Sequence, residues 1–198
     1  MKKPALPAAA RFVDEIRALY ASEPDVAKRW AAIRERMKPF LADPGLRASI
    51  ATWPLTVDGA PVVGNLLFYE DPDHGFVFNA TVRKPNLVTN VHDHGDVWTL
   101  YGLIEGHETM VHYERIDDGP RDAGPARLRI TGTDAMGPGD IDAVPPGAIH
   151  QERAGPRQSV SFIVRAKRGG TFQQRNFDPD TGEVRINWGP RQIEHALG

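Results

Sequence analysis

The sequence predicts an all-β fold, a barrel or sandwich of short antiparallel strands that follows a pair of N-terminal α-helices. Apolar residues recur at helical spacing only in the first part of the chain, up to Leu41. The 19 glycines and 17 prolines are dense between positions 54 and 189 and sparse between 8 and 41. Between these turn signals the chain consists of short runs rich in β-branched and aromatic residues. We therefore divide a single domain into a helical extension, residues 1–50, packed on a barrel, residues 51–198.

Composition restricts the classes of protein that the chain can belong to. Its 198 residues suit one domain, and its cysteine count of 0 excludes disulfides, cysteine-ligated zinc and cysteine nucleophiles. The formal net charge is −2 with both signs mixed, and no basic run marks a nucleic-acid groove. The apolar stretch near the start is broken by Pro7, Arg11 and Asp14, so it predicts neither a signal peptide nor a membrane span. We expect a cytoplasmic protein with no nucleic-acid or membrane partner.

Two helices precede the strands. The first, over residues 8–20, has an apolar stripe made of Phe12, Ile16, Leu19 and Tyr20. The second begins near Pro24, ends near residues 43–45, and has a stripe made of Val26, Trp30, Ile33, Met37 and Leu41. Stripes of this kind indicate packing faces, against the barrel or a partner subunit.

The rest of the chain alternates between predicted strands and turns. No helical pattern lies between the strands, which favours an antiparallel sandwich or barrel. The short polar tail after Trp188 is expected to be partly disordered. The predicted strand segments are 62–63, 66–69, 76–78, 87–88, 97–104, 110–113, 128–130, 141–144, 160–164 and 185–188.

Three of the seven histidines are candidate metal ligands. His92 and His94 are two residues apart, so on a strand both imidazoles face the same side. Alone, such a pair is as typical of an ordinary surface as of a metal site. His150 adds a third candidate, because it follows a Gly-Asp turn, a short apolar strand and a rigid Pro-Pro-Gly turn that fixes the direction of the next strand.

Together these two phrases resemble the two motifs of the cupins. The first is the His-x-His phrase followed by Leu-Ile-Glu-Gly at residues 103–106. The second, from Gly139 to His150, matches the G-x5-P-x-G-x2-H pattern, although Ala154 stands where the motif usually ends in asparagine. The resemblance implies a cupin double-stranded β-helix, or jelly-roll barrel, with a metal on His92, His94 and His150.

The chain departs from the first motif at the usual fourth ligand. The family's glutamate should fall at Trp98 or Thr99, and the next acidic residue, Glu105, belongs to the following turn. A neutral three-histidine site remains, in which an anionic bidentate molecule could bind the ion directly beside dioxygen or water. Imidazole suits iron, nickel, copper and zinc, so the spacing does not identify the metal.

Within the cupins the chain resembles the cysteine dioxygenase-like thiol dioxygenases, which share the His-Asp-His phrase, a lone third histidine and helices ahead of the barrel. The resemblance implies iron(II), with zinc or nickel as alternatives, and a homodimer. The family's Ser-x-His-x-Tyr strand falls at residues 161–165, where only Ser161 matches, and Ile163 and Arg165 replace the histidine and the tyrosine. The cysteine that some members link to that tyrosine falls near Thr99, and the substrate-binding arginine falls near Gly64.

Arg165 is also a candidate substrate ligand. On the strand at residues 159–165, Ser159, Ser161, Ile163 and Arg165 share one face, which the resemblance directs into the metal cavity. Arg165 could hold a substrate carboxylate by a two-point contact, or it could be an arginine at the barrel rim paired with Asp or Glu.

Other candidates for the pocket wall rest on weaker signals. Trp98 is an even number of residues from His92 and His94, so on one strand it would face the same side, but core packing explains it equally well. Tyr101 lies near the ligands in sequence. His112 lies on a strand and could line the cavity, although a structural or surface role is favoured. Gln151 and Glu152 follow His150 and could contact the ligands.

Three functions remain open. The first is an iron(II) dioxygenase that acts with O2 on a small anionic molecule, a thiol carboxylate or a β-diketone-like chelator. The second is a zinc-, nickel- or iron-dependent hydrolase or isomerase, which requires a general base near the metal. The third is a binding barrel without catalysis.

Overall fold

The computed structural model describes residues 2–55 and 64–198, so the predicted strand at residues 62–63 lies outside the described residues. The chain begins with α1 (Pro7–Ser22), α2 (Val26–Leu41), α3 (Pro44–Ser49) and a 3-10 turn (Ile50–Thr52). The strands that follow within the described part are β1 (Gly64–Glu70), β2 (Val77–Arg83), β3 (Val91–His92), β4 (Thr99–Glu105), β5 (Glu108–Arg115), β6 (Leu128–Met136), β7 (Ile141–Val144), β8 (Ile149–Ala154), β9 (Ser159–Arg165), β10 (Gln174–Phe177), β11 (Val184–Asn187) and β12 (Arg191–Glu194).

The strands form two six-stranded sheets. The first has the order β12-β1-β2-β9-β4-β7 and the second has the order β11-β10-β3-β8-β5-β6. All pairings within them are antiparallel except that of β12 with β1. Two mainly antiparallel sheets preceded by helices are the all-β architecture that the sequence predicts, so the predicted fold class is confirmed. The predicted strand at residues 87–88 is reduced to one bridge between Val88 and Arg153.

The helices cover the outer face of the first sheet. The ring of Phe12 stacks on that of Phe78 with centroids 5.2 Å apart, and Phe40 meets Phe162 edge-on at 4.9 Å. Because side chains alternate along a strand, burying these phenylalanines outside turns the polar residues of β2 and β9 toward the barrel interior. The predicted helical stripes are therefore packing faces, apart from Val26, which is exposed.

The helix boundaries follow from local capping. The Asp25 side chain accepts a hydrogen bond from the Lys28 amide at the start of α2. Asp43 accepts from the amides of Gly45 and Leu46, and Pro44 occupies the first turn, so a third short helix begins where the sequence predicts only a turn. In the part of the chain that is described, no helix is long and apolar enough to span a membrane.

The C-terminal tail is ordered, and the expectation of disorder there is wrong. β12 pairs in parallel with β1, and the Leu6 amide donates to the Leu197 carbonyl at 3.0 Å. Leu197 is only 3% exposed and belongs to the core that the helices form with the first sheet. The sequence does not show this because the pairing joins the two ends of the chain and the tail offers few apolar residues.

We expect Leu197→Ala to lower the free energy of unfolding by about 2–5 kcal/mol, because the substitution leaves a cavity in a packed core. Urea denaturation would measure the change. Leu55→Ala is the matched control, since Leu55 is 42% exposed and its truncation should cost no more than about 0.5 kcal/mol. Equal stabilities of the two variants would contradict the assignment of Leu197 to the core.

Candidate metal centre

The three candidate histidines come from two neighbouring strands and the turn between β3 and β4. His92 ends β3 and pairs in register with His150 on β8. His94 lies just beyond β3, which ends early because the Asp93 carboxylate accepts a hydrogen bond from the Gly95 amide at 3.0 Å and forms a tight turn. The sequence places both His92 and His94 on one strand, whereas the structure keeps only His92 there.

Their imidazoles nevertheless converge on one point. The Nε2 atom of His94 lies 3.2 Å from that of His92 and 3.4 Å from that of His150. Ligand atoms of all three lie within 4.8 Å of one another, and all three side chains are buried. Ligands about 2.1 Å from a single ion at tetrahedral or octahedral angles are about 3.0–3.4 Å apart. The spacing therefore fits one ion held by three imidazoles.

A hydrogen bond on the far side of the His92 ring points its Nε2 lone pair inward. The Nδ1–H of His92 donates to the Asn90 carbonyl at 2.9 Å, which leaves Nε2 free as a ligand. Carbonyls in such positions orient metal-binding histidines. The Nδ1 atom of His150 lies 3.7 Å from a carboxylate oxygen of Asp142, which is beyond hydrogen-bond distance.

Burial keeps two of the imidazoles neutral. It lowers the pKa of His92 to about 4, although the nearby Glu152 charge acts in the opposite direction. Burial also lowers the pKa of His94 well below its ordinary value, and the neighbouring His150 and His92 add to this effect. Neutral imidazole is the form that binds metal, so the donor set fits a divalent ion such as iron(II), zinc or nickel.

A cavity of about 280 Å³ opens beside the three Nε2 atoms. Side chains from both sheets line it, and most of them are polar. The lining residues are Asn65, Thr81, Arg83, Thr89, Asn90, His92, His94, Tyr101, Glu152, Arg165, Gln174, Asn176, Asn187, Gly189 and Pro190.

Arg165 brings an unpaired positive charge into this cavity. Its side chain is 1% exposed, its Nε donates to the Thr99 hydroxyl at 3.2 Å, and its Nη2 donates to the Tyr101 hydroxyl at 3.3 Å. Its Nη1 has no hydrogen-bond partner among the described residues, and no Asp or Glu there forms an ion pair with it. Arg165 is thus not a rim arginine paired with an acid in the described structure.

Tyr101 stands between Arg165 and the histidines. Its hydroxyl lies 3.2 Å from the His94 Nε2 atom, the same spacing as that between the imidazole nitrogens. Burial raises the pKa of Tyr101, and the Glu152 charge adds to that effect. The side chain is therefore a neutral phenol, able to donate a hydrogen bond to a molecule beside the histidines.

A buried charge cluster that the sequence does not reveal lies at the edge of the cavity. The Arg83 guanidinium contacts Glu108 at 2.8 Å and Glu152 at 3.0 Å, and Glu152 also accepts from the Thr89 hydroxyl at 2.8 Å. Burial would raise the pKa of Glu152, but interactions with His150, His92 and Arg83 and the hydrogen bond from Thr89 outweigh it and hold that pKa below its usual range. Polar residues at alternate positions of β2 (Asn79, Thr81, Arg83) are the signal that could have identified an interior polar face.

The structure places the other predicted pocket residues away from the cavity. The Ser161 hydroxyl faces Glu108 at 3.3 Å, and Ile163 packs in a small core cluster. Trp98 stacks on Trp30 of α2, on the outer face of the barrel. His112 pairs in register with His150, but its ring is partly exposed, contacts Asp134 at 3.1 Å and does not line the cavity.

The position aligned with the family's substrate-binding arginine carries no charge. Gly64 begins β1, and a Cβ there would meet the Ile193 side chain at 2.8 Å. The next residue, Asn65, lines the cavity instead. The unpaired charge that lines the cavity in the described structure therefore comes from β9, through Arg165, rather than from β1.

Comparisons with known proteins show similarity in fold at low identity. No protein-family model matches the chain, and no curated protein matches it significantly. The cupin domain of Schizosaccharomyces pombe Cnp3 superposes with a TM-score of 0.41 at 10% identity, over 52% of this chain and 60% of that one. An oxalate oxidase gives a TM-score of 0.37 at 14% identity, over 47% of this chain and 42% of that one.

Peruvianin-I, a cysteine peptidase from Thevetia peruviana latex, gives a TM-score of 0.37 at 20% identity, over 47% of this chain and 51% of that one. The matched region thus spans about half the length of each of these three solved chains. Similarity at this level assigns no activity, and the absence of cysteine here excludes a cysteine peptidase.

We expect the protein purified without added metal to carry close to one equivalent of a divalent metal per chain, and His150→Ala to lose most of it. Elemental analysis by mass spectrometry would measure both. His112→Ala is the matched control, because it removes a histidine that pairs in register with His150 but contacts Asp134 and does not belong to the three-histidine group. Metal retained in His150→Ala, or lost equally in both variants, would contradict the three-histidine assignment.

The stability of the metal-free protein should fall as the pH drops below 6.5. The folded His92 takes up a proton only near pH 4, whereas the unfolded one does so near 6.5, so its contribution is complete above pH 6.5 and is lost as the pH falls toward 4. For His92 the loss between pH 7 and pH 5 is about 2 kcal/mol.

Denaturation of metal-free protein at both pH values should therefore show a smaller loss in His92→Gln than in the wild type. The exposed His107 provides the control, since His107→Gln should leave the loss unchanged. Equal losses in the wild type and His92→Gln would show that His92 titrates at an ordinary pH.

Proposed function

We propose that this protein is a non-haem iron(II) dioxygenase that uses His92, His94 and His150 as metal ligands and oxidises a small anionic molecule with O2. One observation carries the proposal: three buried imidazoles converge on one point, and two of them line the same cavity as the unpaired Arg165 guanidinium. Neutral ligands leave the ion's charge uncompensated and leave several coordination positions open, which suits a chelating anion together with dioxygen. Bound iron(II) would supply the activation of O2.

The other residues have roles that follow from their positions. Arg165 binds the anionic group of the substrate through Nη1, while Thr99 and Tyr101 hold the rest of its guanidinium in place. The Tyr101 phenol donates to a substrate atom beside His94, because a metal on His94 would take the lone pair that accepts from this hydroxyl in the metal-free geometry. A thiol carboxylate or a β-diketone-like chelator meets these requirements. The cytoplasmic location and the homodimer predicted from the sequence stay predictions.

One observation favours a second function, a metal-dependent hydrolase or isomerase. Glu152 lines the cavity and is ionised, so it is a candidate general base that the sequence alone did not identify. Its carboxylate is, however, already bound to Arg83 and Thr89, and its low pKa makes it a weak base at neutral pH. We therefore rank this function second.

The experiment is oxygen uptake by anaerobically reconstituted iron(II) protein, screened with small thiol carboxylates and β-diketones, with product analysis by mass spectrometry. A dioxygenase should consume one O2 per substrate and give a product heavier by two oxygen atoms. The zinc form serves as the control, because a Lewis-acid enzyme would convert substrate with zinc and without O2. Turnover that needs no O2 would support the hydrolase or isomerase and contradict the dioxygenase.

Once a substrate is found, Arg165→Gln should lower kcat/KM by about 10- to 150-fold, the effect of losing a charge-assisted hydrogen bond of about 1.5–3 kcal/mol. Steady-state oxygen uptake measures this. Arg129→Gln is the matched control, because the Arg129 side chain is 67% exposed on β6 and lies outside the cavity. Equal rates for Arg165→Gln and the wild type would rule out Arg165 as the anion-binding residue.

A further inference from the structure

A second polar region of the cavity lies where β10 pairs with β11. Gln174 of β10 and Asn187 of β11 are direct partners in the antiparallel register, and both line the cavity. Among the described residues, the Gln174 Oε1 atom and the Asn187 Nδ2 atom are buried and have no hydrogen-bond partner. One is an acceptor and the other a donor, and leaving either unpaired in the interior costs free energy.

The backbone around Asn187 fixes this arrangement. The Asn187 Oδ1 atom accepts a hydrogen bond from the Gly189 amide at 2.8 Å, so the opposite end of the amide, Nδ2, is the free end. Gly189 has a φ of +80°, and a Cβ at that position would meet the Gln174 Oε1 atom at 3.3 Å. The glycine therefore keeps the space beside the Gln174 carbonyl open.

No free carboxylate in the described lining lies next to this region. Among the described lining residues, Glu152 is the only acid, and its carboxylate is bound to Arg83 and Thr89 beside His92. An ammonium group next to Gln174 would thus have no counter-ion, and a second carboxylate there would face an unpaired carbonyl oxygen. A group that both donates and accepts satisfies Gln174 and Asn187 together.

We propose that Gln174 and Asn187 bind an uncharged donor–acceptor group of the substrate, an amide or a hydroxyl, while Arg165 binds its anionic group. The inference rests on the proposed function for the anionic end and adds the chemistry of the other end. The substrate class is then a small carboxylate with a neutral polar tail, rather than a free amino acid or a dicarboxylate.

Calorimetric titration of the zinc-loaded protein tests this without turnover. The probes are four small carboxylates that differ at the distal end: succinamate carries an amide, butyrate a methyl group, 4-aminobutyrate an ammonium group and succinate a second carboxylate. Two additional neutral hydrogen bonds should make succinamate bind about tenfold more tightly than butyrate. It should also bind more tightly than 4-aminobutyrate and succinate.

Replacing the side-chain amide of Gln174 by a carboxylate should reverse the order of affinity of succinamate and 4-aminobutyrate. Gln174→Glu supplies the missing counter-ion, so 4-aminobutyrate should then bind more tightly than succinamate. Gln173→Glu is the matched control, because it adds the same charge at the adjacent, exposed residue and should keep the wild-type order. Asn187→Asp is the second variant, in case Gln174→Glu does not fold, and it should shift the order in the same direction.

Two results would overturn the inference. One is a wild type that binds butyrate or 4-aminobutyrate as tightly as succinamate, or none of the four. The other is a Gln174→Glu or Asn187→Asp variant, folded by circular dichroism, that keeps the wild-type order. Failure of the dioxygenase proposal is a separate result, since it appears as missing O2 consumption by the iron(II) protein while the order of affinities stands.

Discussion

The ion-pair cluster of Arg83 with Glu108 and Glu152 is the interaction on which the geometry of the site depends. It joins β2 of the first sheet to β5 and β8 of the second, and all three side chains are buried. Removing one partner would leave an uncompensated buried charge at a cost of about 3–5 kcal/mol. A one-residue slip of β8 would do the same, because it would turn Glu152 to the other face of the sheet. His150 lies two residues before Glu152 on the same face, so the constraint that holds the carboxylate inside also points the imidazole inward.

The two positions that depart most from the thiol dioxygenase pattern contact each other here. Thr99 stands near the position of the family's cysteine, Arg165 stands at that of its tyrosine, and the Thr99 hydroxyl accepts from the Arg165 Nε atom at 3.2 Å. They are direct neighbours in the pairing of β4 with β9. A change at one therefore alters the surroundings of the other, and Thr99 with Arg165 forms a self-consistent pair. No charged residue stands at Gly64, and the unpaired positive charge in the cavity is that of Arg165 on β9.

The sequence carried enough information for the fold and for the three histidines, because both depend on local signals. Strand alternation and the Pro-Pro-Gly turn before His150 are readable without the tertiary structure, and they predict which way His92 and His150 point, whereas His94 reaches the site from the turn after β3. The parity of β9 likewise placed Arg165 on the inner face. Alternation did not decide which way the Trp98 side chain points. Trp98 packs on α2, because the turn after His94 shifts the alternation between the histidines and β4.

The cavity wall could not be predicted for a different reason. Gln174 and Asn187 lie more than 80 residues from His92 in sequence, and β10 is a short strand without an apolar pattern. Their proximity to the histidines follows from the pairing of β10 with β3, a contact that no local signal encodes. The same holds for Glu108 and Arg83. Charged residues are usually exposed, so only the closed barrel shows that these two are buried.

The charges inside the barrel link metal binding to anion binding. Two guanidiniums, Arg83 and Arg165, and two carboxylates, Glu108 and Glu152, are buried in the barrel, so the formal charges of these four side chains cancel before a metal binds. A divalent ion adds a charge of +2 in a site with little water to screen it. An anion on Arg165 then offsets part of this charge, and by thermodynamic reciprocity the anion must strengthen metal binding by the same factor by which the metal strengthens anion binding. A fourth, anionic protein ligand would have weakened this coupling, so the absence of the usual cupin glutamate favours selection of the substrate by its charge.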